Sequence, residues 1–105
     1  MADAVPGPSN SGSVVLELGP GTGALVLHTP PELDGAEIEI SLLSGSPERR
    51  THSRVRQRQL PDRVQFAAVY PGLPSGKYVI WRDATARAAV VTVTGGQATT
   101  ACWPG

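Results

Sequence analysis

The sequence predicts an all-β protein, a seven- to eight-stranded antiparallel β-sandwich, and three observations carry that reading. Apolar runs recur along the chain in lengths that suit strands and fall short of helices. Twelve glycines and ten prolines are spread between them with no Gly-X-Y period, as expected of many turns joining many strands. The segment Ala36-Glu37-Ile38-Glu39-Ile40-Ser41-Leu42 alternates apolar and polar at period two, the cleanest strand signal in the chain. At 105 residues there is room for one domain closing one core without covalent staples. The expected organisation is a flexible N-terminal tail over residues 1–12 and a single β-sandwich domain over residues 13–105.

In order, Val14-Val15-Leu16-Glu17-Leu18 is the first strand candidate and residues 24–29 the second, joined by the glycine-rich loop 19–23 as a hairpin. Pro30-Pro31-Glu32-Leu33-Asp34-Gly35 is a rigid connection with space for one helical turn starting at Pro31. In the next strand Ala36, Ile38, Ile40 and Leu42 face the core, with Glu37, Glu39 and Ser41 outward. Residues 49–59 carry Arg50, His52, Arg54, Arg56 and Arg58 at period two. One extended segment puts all five on one face, an edge strand guarded by charge. Pairing with the preceding strand sets Glu37 and Glu39 against these arginines, each pair worth a few tenths to about 1 kcal/mol. Residues 64–70 turn Val64, Phe66, Ala68 and Tyr70 inward. A Pro/Gly corner over residues 71–76 leads to a strand with Tyr78 and Ile80 inside and Trp81 outside. A polar loop over residues 82–87 precedes a β-branched strand over 88–94. Gly95-Gly96 then makes a hairpin turn into a last short strand.

Bulk chemistry narrows the function classes. Nine basic and nine acidic residues cancel, so no net field favours nucleic acid or an anionic membrane surface. Eight of the nine basic residues are arginine, Lys77 being the exception. With abundant Ala, Gly and Pro, this suggests GC-rich bacterial coding. Cys102 is the only cysteine, which excludes an intramolecular disulfide and gives no support for oxidising export. Residues 1–13 lack the basic and apolar regions of a signal peptide. No apolar run approaches the roughly 20 residues of a membrane helix. Cytoplasmic residence is therefore expected.

Val15-Leu16-Glu17-Leu18-Gly19-Pro20-Gly21-Thr22-Gly23 looks like the glycine-rich first motif of S-adenosylmethionine-dependent methyltransferases. Glu37 or Glu39 falls near the spacing of the ribose-binding acid. The helix that must follow is missing, because residues 24–29 are short and end in Pro30-Pro31. The loop is read as a hairpin turn, and no cofactor is expected.

Residues 66–103 resemble the prealbumin-like β-sandwiches, collagen-adhesin B-type repeats and carboxypeptidase regulatory-like domains. The resemblance rests on an apolar strand, the Leu73-Pro74-Ser75-Gly76 corner, Tyr78-Val79-Ile80, and the apolar final segment. The upstream Leu33-Asp34-Gly35-Ala36-Glu37-Ile38 is similar to their early strand. It implies a sandwich with Tyr78 buried beside the corner and its hydroxyl at the wet rim. Two family activities do not transfer. The adhesin Lys–Asn cross-link has only Lys77 and Asn10 to draw on. The C-terminal motif of transthyretin-like hydroxyisourate hydrolases is replaced by Ala101-Cys102-Trp103-Pro104-Gly105. The chain is also similar to small bacterial proteins that sometimes carry a phospholipase label. It contains no Gly-x-Ser-x-Gly elbow, His-x-Lys pair or His-Asp dyad motif to support one.

Three candidate sites remain. His28 and His52, with Glu32 or Asp34, supply the residue types of a two-His, one-carboxylate metal site. They lie on different segments without ligand spacing, where surface histidines are the ordinary reading. Arg50, Arg54, Arg56 and Arg58 suit an anionic partner or an acidic strand added at the edge; the alternative is a solvated edge paired with Glu37 and Glu39. No aromatic residue interleaves them, which argues against nucleic acid. Trp81 is either an exposed contact anchor or a ring covered by the tail. Cys102, alternating with Ala101 beside Trp103, is read as a structural thiol. No nucleophile–base constellation is present. The expected function is a non-enzymatic sandwich mediating protein–protein interaction or self-association through an exposed strand. The alternative is a small hydrolase or metal-binding protein in which His28 and His52 converge.

Overall fold

Two four-stranded sheets face each other, and the chain changes sheet at every second connection. The computed structural model describes residues 20–104; the tail over 1–12 and the strand expected at 14–18 lie outside the described residues. The strands are β1 (Thr22–Thr29), β2 (Glu37–Leu42), β3 (Arg50–Arg54), β4 (Arg56–Gln59), β5 (Val64–Pro74), β6 (Gly76–Trp81), β7 (Arg87–Val93) and β8 (Ala98–Cys102). A 3-10 turn, Pro31–Leu33, follows β1, where two prolines fix the backbone as the sequence predicts. One sheet has the order β4-β5-β1-β8 and the other β3-β2-β6-β7. Hairpins β2–β3, β4–β5 and β6–β7 stay within a sheet, and the connections between them cross over.

The core is filled by the alternate residues that face between the sheets. Leu25 and Leu27 of β1, Ile38 and Ile40 of β2, Ala68 and Tyr70 of β5, and Tyr78 and Ile80 of β6 form one buried cluster with Val55 and Val93. Each large aliphatic side chain buried this way contributes about 1.5–3 kcal/mol. Side-chain hydrogen bonds stitch the layers. The Tyr70 hydroxyl donates to the Ile38 carbonyl oxygen at 2.7 Å, and the Ser53 hydroxyl to that of Val69 at 2.8 Å. Phe66 packs against the cluster as expected, whereas Val64, also expected inward, is 41% exposed at the mouth of its hairpin.

The segment over residues 69–81 keeps its expected orientation. The strand before the corner runs on through Pro74, and the corner carries the chain from one sheet to the other. Against β1, Gly23 pairs with Leu73 and Leu25 with Tyr70, so β5 holds one extra residue there. Gly72, at φ +68°, supplies the left-handed backbone such a bulge needs. Tyr78 is buried and donates its hydroxyl to the Pro74 carbonyl oxygen at 2.7 Å, locking the crossing.

Two expectations are corrected. Residues 49–59 are not one strand: Val55, 1% exposed, turns into the core and exchanges backbone hydrogen bonds with Gly35 and Ala36. Arg50, His52 and Arg54 therefore belong to one sheet and Arg56 and Arg58 to the other. The last two strands do not form a hairpin. The Gly95-Gly96 turn docks on the start of β1, with the Gly96 N–H on the Thr22 oxygen at 2.8 Å, and β8 runs parallel to β1. The first described strand, β1, is not at an edge: it lies between β5 and β8.

Candidate functional site

The two flanks of the sandwich differ sharply in chemistry. One is formed by the edge strands β3 and β4 and carries the arginines; the other is formed by β7 and β8.

On the first flank, β2 and β3 pair so that Glu37 lies opposite Arg54 and Glu39 opposite His52. Arg54 reaches Glu37 at 3.0 Å, and His52 lies 3.5 Å from the same carboxylate. Arg50 is the most heavily engaged cation. It donates to Glu39 at 2.9 Å, to Glu48 at 2.7 Å and to the Ala84 carbonyl oxygen at 2.9 Å. Its guanidinium also stacks 3.7 Å from the centre of the Trp81 ring. The Glu39 and Glu48 carboxylates hold it charged and raise its pKa. Below the stack, the Trp81 Nε1–H donates to the Ser41 hydroxyl oxygen at 2.9 Å. This explains why Ser41, on the outer face as expected, is only 2% exposed. The loop that receives Arg50 is held by Asp83, whose carboxylate accepts backbone N–H bonds from Thr85 at 2.9 Å and Ala86 at 2.7 Å. These bonds lower its pKa.

The residues expected to bind a partner thus fall into two groups. Arg50, Arg54 and Trp81 are committed to contacts within the sheet, and Trp81 is roofed by Arg50, with Arg87 near its ring at 5.9 Å. Arg56 and Arg58 sit on β4 in the other sheet. Arg56 is exposed, while the Arg58 Nε is buried and unpartnered among the described residues.

His28 and His52 are not brought together. His28 is on β1, out of phase with core residues Leu25 and Leu27, and pairs in register with Ala67 and Cys102. His52 is on the outer face of the other sheet, its side chain 63% exposed. Face-packed sheets are about 10 Å apart, so two outward histidines on opposite layers share no ligand. No group of three or more His, Cys, Asp or Glu side chains fit to hold a metal occurs among the described residues. Cys102, expected as a structural thiol, is exposed and free.

Comparison with known proteins adds no relative. No protein-family model, curated protein or solved structure matches the chain. The site must be read from its own chemistry.

That chemistry singles out the second flank. No charged residue and no histidine occurs from Ala88 to Gly105, a span that includes all but the first residue of β7 and the whole of β8. Val90 on β7 is 47% exposed. Among the described residues β8 pairs only with β1, and β7 only with β6. The Gln97 carbonyl oxygen accepts from Ala24, and the Trp103 N–H donates to His28. Backbone groups alternate sides along a strand, so those of Ala98, Thr100 and Cys102 point to the open edge. The charge-free run is visible in the sequence. Reading its two strands as a hairpin hid its meaning, because paired strands would satisfy each other.

Proposed function

We propose that this chain is a non-enzymatic β-sandwich of prealbumin-like kinship that mediates protein–protein interaction, self-association first, by adding a strand at β8. The observation that carries the reading is the contrast between the flanks. Soluble sandwiches protect edge strands with charge, proline, bulges or cover. The β3 and β4 edges follow that rule with five basic side chains, whereas Ala98-Thr99-Thr100-Ala101-Cys102 carries no charge and no proline and has no further strand beside it among the described residues. An uncharged edge whose outward N–H and C=O groups have no strand partner among the described residues is the template for β-augmentation. A second copy offering its own β8 antiparallel makes a closed two-fold pair, so assembly stops at two.

Amide hydrogen exchange as a function of protein concentration tests this. The N–H groups of Ala98, Thr100 and Cys102 are expected to gain protection as concentration rises, while Arg50 to Arg54 stay unchanged. Concentration-independent exchange at all three positions contradicts the reading.

A further inference from the structure

The sandwich is open at one end. There β2 and β3 part from the end of β5, and a groove of about 520 Å³ runs between the sheets. That volume is within the range of small-molecule sites. Leu42, Leu73, Pro71 and the Tyr78 ring give it apolar walls over the fully buried Ile40, and Thr51 and Arg49 stand at its rim. On the inner face of β3, two residues beyond Thr51, the Ser53 hydroxyl is tied to the Val69 carbonyl oxygen of the facing sheet. Tyr78 is likewise fixed by its bond to Pro74, so the walls are set before any ligand arrives.

Arg49 differs from its neighbour Arg50. Arg50 has two carboxylates and a carbonyl; Arg49 is exposed and has no partner of either kind among the described residues. An unspent guanidinium at the mouth of an apolar groove is complementary to one anionic group on an apolar body. Guanidinium matches carboxylate geometry with two parallel N–H donors.

We propose that this groove binds a small amphipathic monocarboxylate, an aliphatic acid of short to medium chain. Its tail lies against Leu42, Pro71, Leu73 and Tyr78, and its carboxylate on Arg49. The groove shares no lining residue with β7 or β8, so the inference stands independently of the edge reading.

Titration of the 15N-labelled full chain with octanoate tests it. Saturable shifts are expected at Gly45, Arg49, Thr51, Gly72 and Leu73. Octan-1-ol, with the same chain length and no charge, is expected to bind about tenfold more weakly, as is octanoate to Arg49→Ala; one charge-assisted pair is worth about that factor. Thr51→Trp, at an exposed rim position, blocks both ligands. Thermal unfolding of both variants is expected to match the native chain, which separates lost binding from lost fold. Three results each overturn the proposal: no saturable shift in the native chain, equal affinity for octanoate and octan-1-ol, or tighter binding of N-acetyl-leucine. The last would make the occupant a polypeptide C-terminus.

Discussion

A Gly23→Ala variant is expected to be destabilised by about 3 kcal/mol, the upper end of ordinary overpacking, lowering Tm by roughly 12–24 °C for a domain of this size. The cause is a close approach between two backbones. A Cβ on Gly23 would collide with the Thr94 carbonyl oxygen, and would lie 2.8 Å from Val93 Cγ1 and 2.9 Å from the Gln97 oxygen. Two of these three are main-chain atoms of the turn that delivers β8 to β1, so no rotamer change relieves them. Gly21 is the internal control, because a Cβ there meets nothing within 4 Å. Gly21→Ala is expected to stay within about 0.5 kcal/mol of the native chain. Thermal or urea unfolding of the two variants separates the explanations of this loop. A cofactor loop would need both glycines for ligand approach and neither for stability; the docking of Thr94 to Gln97 needs Gly23 alone. Equal tolerance at both positions would refute the close approach.

The second large effect is on alkaline stability. Burial pushes the Tyr70 phenol above the unfolded value of 10.0, and Tyr78 is raised for the same reason. The sign follows from linkage. A phenol whose folded pKa is raised contributes stability that is fully present below pH 10 and is lost as pH rises toward the folded pKa, because the unfolded chain releases its proton first. For Tyr70, the more deeply buried of the two, the slope approaches about 1.4 kcal/mol per pH unit. Tyr70→Phe removes the hydrogen bond to the Ile38 carbonyl oxygen and is expected to cost about 1 kcal/mol at pH 7. Above pH 10 it removes one alkaline liability as well, so its stability curve crosses that of the native chain and ends above it. Urea midpoints between pH 7 and pH 12 check this. A deficit that stays constant with pH would show that the phenol does not titrate against the fold.

Much of the architecture is legible locally. Ile38 and Ile40 alternate into the core, the double proline stops β1 and starts a 3-10 turn, and the Leu73-Pro74-Ser75-Gly76 corner puts Tyr78 inside and Trp81 outside. The pairing of Glu37 with Arg54 follows from two period-two patterns in register. What the sequence conceals is where the chain leaves a sheet. Val55 continues the alternation of Thr51 and Ser53 without interruption, and only its backbone bonds to Gly35 and Ala36 show that β3 ends there. The parallel seat of β8 is hidden for the same reason, since it depends on contacts between Thr22–Gly23 and the Thr94–Gln97 turn. A local pattern fixes which face a residue takes; the choice of neighbouring strand is made by contacts distant in sequence. This is why the arginines read as one exposed ladder, whereas Arg50 and Arg54 are engaged with Glu39, Glu48 and Glu37.

The central claim is that the working surface is the uncharged β8 edge and not the arginine-bearing flank. Light scattering on the native chain, on Thr100→Pro and on the double variant Arg54→Glu/Arg56→Glu tests it in one series. The Thr100 N–H points away from β1, so proline there removes a donor from the open edge and leaves the β1 pairing in place, a position where strands tolerate it. The native chain and the arginine variant are expected to scatter at twice the 10.9 kDa chain mass, and Thr100→Pro at the chain mass itself. A native chain that stays at 10.9 kDa, or an association lost in the arginine variant and kept in Thr100→Pro, would contradict the account.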